Sequence, residues 1–124
     1  MKNDIKKIKS FQYLDRYDIV SIGIPYGIEE IECCAFYNCP NLQHITIPDT
    51  VKIIGFSAFR FCTNLDNIVI PDSVTFIGHD AFDNTKWYRN NNDDYVILSD
   101  KYLIKYRGKN ENTIIPKSVK YISP

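Results

Sequence analysis

The sequence predicts an α/β-type repeat solenoid: short parallel strands stacked coil on coil, joined by short helical or 3₁₀ turns, with one β-hairpin insertion. Three observations carry this. A 23-residue unit recurs nearly in register, as IPYGIEEIECCAFYNCPNLQHIT from Ile24, IPDTVKIIGFSAFRFCTNLDNIV from Ile47 and IPDSVTFIGHDAFDNTKWYRNNN from Ile70. The unit restarts as IPKSVKYISP at Ile115. Its apolar residues fall in the same columns each time, the mark of coils that bury one face against the next and cannot bury it alone.

Numbering the columns from Ile24, column one holds Ile24, Ile47, Ile70 and Ile115, and column two holds Pro25, Pro48, Pro71 and Pro116. Proline lacks the backbone donor and so marks a strand end in every coil. The segments IVSIGIP (19–25), LQHITIP (42–48) and LDNIVIP (65–71) share apolar-x-x-Ile-x-Ile-Pro. The alternation predicts one short strand per coil, stacked in parallel at about 4.8 Å. Column five (Ile28, Val51, Val74, Val119) and column eight (Ile31, Ile54, Ile77, Ile122) lead into Gly55 and Gly78. This stretch is a candidate second extended segment, with the glycines marking the bend that follows. Ala35-Phe36, Ala58-Phe59 and Ala81-Phe82 then open a helical or 3₁₀ turn.

Residues 1–18 are expected to cap the first coil. Ile5, Ile8, Phe11 and Leu14 have the spacing of a short amphipathic helix or turn, and an open solenoid end needs covering. Residues 19–85 carry the regular repeats. TKWYRNNNDD (85–94) reads as a polar loop. YVIL (95–98) and KYLIKY (101–106), separated by Ser99-Asp100, read as a hairpin. The insertion spans 86–112, and a partial repeat fills 113–124, so the chain is one domain.

The pattern Ile-Pro-x-x-Val-x-x-Ile-Gly-x-x-Ala-Phe-x-x-Cys-x-x-Leu-x-x-Ile resembles the leucine-rich repeat of the BspA (Treponema pallidum) type. The match is good over 19–85 and resumes at 113–122. The resemblance implies a non-catalytic protein of bacterial or protozoan surfaces, often an adhesin that binds host or matrix proteins.

Composition agrees with a folded chain, with 44% hydrophobic and 14% aromatic residues. No apolar run is long enough to span a membrane. MKNDIKKIKS has charge but no apolar core after it, so no signal peptide is expected and a cytoplasmic location follows. The resemblance makes the cell surface or secretion the alternative, if the chain is a fragment. Net charge is zero but uneven: +2 over 1–18, −6 over 19–85 and +4 over 86–124. The repeats lack the basic stripe that a nucleic-acid partner needs. Cys39 and Cys62 lie 23 residues apart in one column, where Thr85 follows, so they read as packing residues. Cys33, Cys34, Cys39 and His44 match no zinc spacing, and no metal or other cofactor is expected. His44 and His79 fall in different columns, and Asp72-Ser73 repeats the turn at Asp49-Thr50. No catalytic residue is expected.

The function that remains is protein–protein recognition by a rigid surface, with a protein partner of unnamed identity. Two faces are candidates. Beside column 22 lie Ser21 and Gly23, His44 and Thr46, and Asn67 and Val69, a continuous sheet face. Column seven (Glu30, Ile53, Phe76, Tyr121) with Phe56 and Phe61 forms an apolar group that marks an interaction site if exposed. Tyr102 adds an aromatic on the hairpin, beside Tyr95, Lys105, Tyr106 and Arg107. The alternatives are an adhesin fragment, a small intracellular inhibitor or scaffold, and a self-assembling protein joined through the open C-terminal end.

Overall fold

A computed structural model of the chain describes residues 6–90 together with the backbone at 95–98, 102–106 and 121–122. The open C-terminal end, the Ser99-Asp100 turn and the Tyr102 side chain lie outside the described residues.

Among the described residues the strands fall into three sheets. The longest joins β1 (Lys7–Ile8), β3 (Glu30–Ile31), β5 (Ile53–Ile54) and β6 (Phe76–Ile77), all parallel. Register is strict, with Ile8 opposite Ile31, Ile31 opposite Ile54 and Ile54 opposite Ile77. A second sheet holds only β2 (Ser21–Gly23) and β4 (His44–Thr46), with Ile22 opposite Ile45. The third pairs β7 (Tyr95–Leu98) antiparallel with β8 (Tyr102–Tyr106), with a bulge between Val96 and Ile97, and β8 parallel with β9 (Tyr121–Ile122). The expected hairpin is present.

Two expectations about the strands change. The stretch offered as a second extended segment is the more continuous sheet, running through all four coils. The Ile-x-Ile strand fails in the third coil, where residues 65–70 form no strand. Asn67 sits there at φ 52°, and its N–H is taken by Asp66 Oδ1 at 2.9 Å. A left-handed residue turns the backbone out of the pleat, so the ladder cannot continue past it.

The N-terminal segment forms a coil of its own. Of the expected helix or turn it forms the turn, at residues 10–15, and it also contributes β1. Ile8 takes the column of Ile31, and Tyr13 stacks on Phe36. Likewise residues 86–89, read as loop, form one helical turn, α1 (Lys86–Arg89). Thr85 caps it, accepting the Tyr88 N–H at 3.1 Å.

At the Ala-Phe corner each coil bonds forward to the next. Tyr13 N–H donates to Ala35 O at 2.8 Å, Phe36 N–H to Ala58 O at 2.8 Å and Phe59 N–H to Ala81 O at 2.7 Å. Residues 34, 57 and 80, and 38, 61 and 84, hold positive φ at fixed places in the corner. The glycines do not supply that freedom. Gly55 and Gly78 are needed because a Cβ would lie 2.6 Å from Cys33 N and 2.5 Å from Phe56 N in the preceding coil. Glu32 holds the equivalent place in the second coil, where its Oε1 accepts Ser10 N–H at 3.1 Å.

The core is a set of columns. Phe36, Phe59 and Phe82 are fully buried and nearly parallel, with centroids 5.0 and 5.3 Å apart. Tyr13 extends the stack at 4.8 Å and Trp87 closes it edge-on at 6.3 Å. Ile31, Ile54 and Ile77, with Leu42 and Leu65, fill the rest without exposure. Each such side chain contributes about 1.5–3 kcal/mol on burial. The cysteine column is polar as well as small: Cys39 Sγ donates to Tyr13 O at 3.0 Å and Cys62 Sγ to Phe36 O at 3.1 Å.

Candidate recognition surfaces

Strand alternation sorts the short sheet. Ile22 and Ile45 turn toward the core, half-buried, while Ser21, His44 and Thr46 are exposed. The register places His44 beside Ser21, and Thr46 beside Gly23. Asn67 and Val69 are exposed too, Val69 at 70%, but they lie past the break and do not extend the strand face. The expected six-residue face is therefore four residues on paired strands and two on an irregular segment.

The break opens a polar cleft of about 300 Å³ lined by Gln43, His44, Asn64, Asp66, Asn67 and Lys86. The last rung before it is long, from Asp66 N–H to Gln43 O at 3.5 Å. Beyond it the Leu65 carbonyl accepts the Trp87 N–H at 3.0 Å, tying α1 to the wall of the cleft. Asn64 is held by its Nδ2 donating to Pro40 O at 2.8 Å. His44 and Asn67 both line this cleft, whereas sequence reasoning expected them on one continuous sheet face. Gln43, Asn64, Asp66 and Lys86 were missed, and the adjacent Asp66-Asn67 pair was the available signal, since such residues favour αL and local caps.

The second face lies on the long sheet. Ile53 and Phe76 are half-buried, as is Phe61, and Phe56 is 47% exposed. Phe56 meets Phe76 edge-on at 5.8 Å. The same column is charged at the other end of the sheet, where Lys7 pairs with Glu30 at 3.7 Å and with Glu32 at 3.3 Å. Between the coils, Arg60 pairs with Asp83 at 3.1 Å while its guanidinium lies 5.0 Å over the Phe61 ring. A further apolar group was not foreseen: Phe11, Leu14, Tyr17 and Val20 on the first coil are 39–58% exposed.

Several titrating groups near these faces are shifted by their neighbours. The Cys39 thiol and burial together push the Cys62 thiol up, and burial does the same for Cys34, so neither is a ready thiolate. Ser10 N–H, then Lys7, hold Glu32 below the usual carboxylate range. A bidentate contact from Arg16, both bonds at 2.8 Å, lowers Asp18 to about 2. Among the described residues, no group of three or more His, Cys, Asp or Glu converges as metal ligands, and no helix is long and apolar enough to cross a membrane.

Comparison with known proteins agrees with this architecture. No curated protein matches the chain. A crystal structure of a leucine-rich repeat protein from Bacteroides ovatus is similar over 97% of this chain, with 28% identity and a TM-score of 0.66. The chain spans 25% of that protein's length. The family model for the BspA type leucine rich repeat region matches residues 1–92 in six copies. With that model covering most of its length, and with stacked parallel strands in the matching register, the chain belongs to the BspA-type leucine-rich repeat family.

Proposed function

We propose that the chain is a non-catalytic recognition module that binds a protein partner through the short sheet and the segment beyond its break. The family points in the same direction, toward protein–protein interaction or an adhesin-like role, and is generally non-catalytic. The observation that carries the reading is the row Ser21, His44 and Thr46, exposed on backbone held by β2–β4 pairing over a fully buried core. Side chains fixed in this way lose little freedom on binding, so more of the contact energy appears as affinity. Nucleic acid is disfavoured as a partner, because residues 19–85 carry net charge −6.

Capture from a lysate of the source or host cell, run beside a His44→Glu/Asn67→Lys double variant, tests the reading. One stoichiometric protein lost with the variant supports the short-sheet face. A protein that survives the variant but is lost on Phe56→Glu moves the site to the long sheet, the second reading, which the 47% exposure of Phe56 favours. Capture that neither variant affects removes both faces.

A further inference from the structure

We propose that the cleft beside β4 is a carbohydrate site, taking one neutral, hexose-sized residue of a glycan. The proposal stands independently of the protein-partner reading. It begins with unused hydrogen-bonding capacity. Several polar side chains elsewhere in the stack are committed between coils. Asn41 Nδ2 donates to Tyr17 O at 2.7 Å, Thr50 Oγ1 to Ile28 O at 2.8 Å and Ser73 Oγ to Val51 O at 2.7 Å. In the cleft the side chains of Gln43, His44, Asn67 and Lys86 make no hydrogen bond or ion pair among the described residues. Asp66 uses Oδ1 alone, on Asn67 N–H, and Asn64 uses only its amide nitrogen. Six polar side chains thus converge with most of their donors and acceptors open.

Charge and size select the ligand. One carboxylate, Asp66, and one ammonium, Lys86, balance across the lining. An anion would face Asp66 and a cation would face Lys86, each without a matching second charge. An apolar group would cover these polar atoms without pairing them, which costs more than the contact returns. A sugar ring carries several hydroxyls, each both donor and acceptor, and satisfies amides, carboxylate and ammonium together. About 300 Å³ lies at the small end of ligand pockets, which run to about 1,000 Å³, so one residue fits and a folded segment does not. The lining is also pre-ordered, because Asn64 and Asp66 are each tied to backbone. Sugar hydroxyls here replace water with bonds of similar strength, so the expected affinity for a single residue is millimolar.

The test is an amide chemical-shift titration of the full chain with the methyl glycosides of glucose, galactose, mannose and N-acetylglucosamine. Acetate and methylammonium serve as charged probes. Saturable shifts at residues 43, 44, 64, 66 and 67 with at least one glycoside, weakened about tenfold by Gln43→Ala/Lys86→Ala, support the site. Those two side chains bond nothing within the described chain, so the fold should survive. If its melting temperature falls, His44→Ala replaces it with the same expectation. Saturation by a charged probe in preference to every glycoside, affinity unchanged by the variant, or no saturable shift with any probe each overturns the proposal. Failure here with partner capture intact rejects the sugar site alone.

Discussion

The two parallel sheets of this solenoid are built from the same 23-residue unit, yet one runs through four coils and the other stops after two. In the long sheet the positions after β5 and β6 approach the previous coil so closely that Gly55 and Gly78 leave no room for a Cβ. In the short sheet a Cβ at Gly23 would meet nothing within 4 Å, and the ladder ends where Asn67 adopts a left-handed conformation. Close backbone approach keeps the register on one side. Its absence on the other leaves local side-chain chemistry free to end the sheet and to open a cleft.

The largest test is of what the sheets share. Phe59→Ala removes the middle ring of the stack between Phe36 and Phe82 and should cost about 3–5 kcal/mol. Because both sheets rest on that column, denaturant unfolding should remain a single transition with a lower midpoint. Two separate transitions would show that the sheets are independent. A paired substitution isolates their difference. Gly55→Ala should cost about 1–3 kcal/mol, since backbone must move away from the new methyl. Gly23→Ala should stay within about 0.5 kcal/mol, and equal losses at the two glycines would sink the close-approach account.

The break itself can be repaired. Asp66→Val/Asn67→Thr removes the local cap on the residue 67 N–H and substitutes strand formers. Amide exchange at Ile68 should slow as it joins β4, the cleft should close, and global stability should change by less than about 1 kcal/mol. Unaltered exchange at Ile68 would place the cause of the break elsewhere, in the α1 contact to Leu65.

The smallest effect is at the N-terminal end of the long sheet. Folding depresses the Glu32 pKa below its ordinary 4.5, first through Ser10 N–H and then through Lys7. A depressed carboxylate adds stability that is complete above the unfolded value and is lost as pH falls through the folded one. The Glu32 side chain is solvent-accessible, so the contribution is screened. Glu32→Gln should therefore flatten the acid limb of a stability–pH curve slightly and leave stability near pH 7 little changed. A steeper acid limb in the variant would contradict the assignment.

Periodicity was enough to reveal much of this molecule because each column makes the same demand in every coil. Ile31, Ile54 and Ile77 had to be inside, as did the Ala-Phe pairs and the cysteine column. What departed from the repeat was harder to read. Tyr13 takes the column of the phenylalanines, but neighbouring residues of the first coil match the motif poorly, so an in-register coil looked like a cap made of a short helix or turn. Thr85 looked like another small core residue, although its hydroxyl also caps α1. Of the candidate surface, Ser21, His44 and Thr46 could be placed by strand alternation. Asp66 and Lys86 could not, since they come together only after the third strand fails and α1 folds back.

By itself the sequence determined the stack: repeat length, apolar columns and proline positions allow few other ways for each coil to cover its neighbour. Tertiary structure decided which sheet is continuous and where the polar cleft opens. That choice rests on the close approach of adjacent backbones at Gly55 and Gly78, and on one N–H that Asp66 takes from the ladder. Such balances between local capping and strand pairing leave no trace in the periodicity of apolar residues.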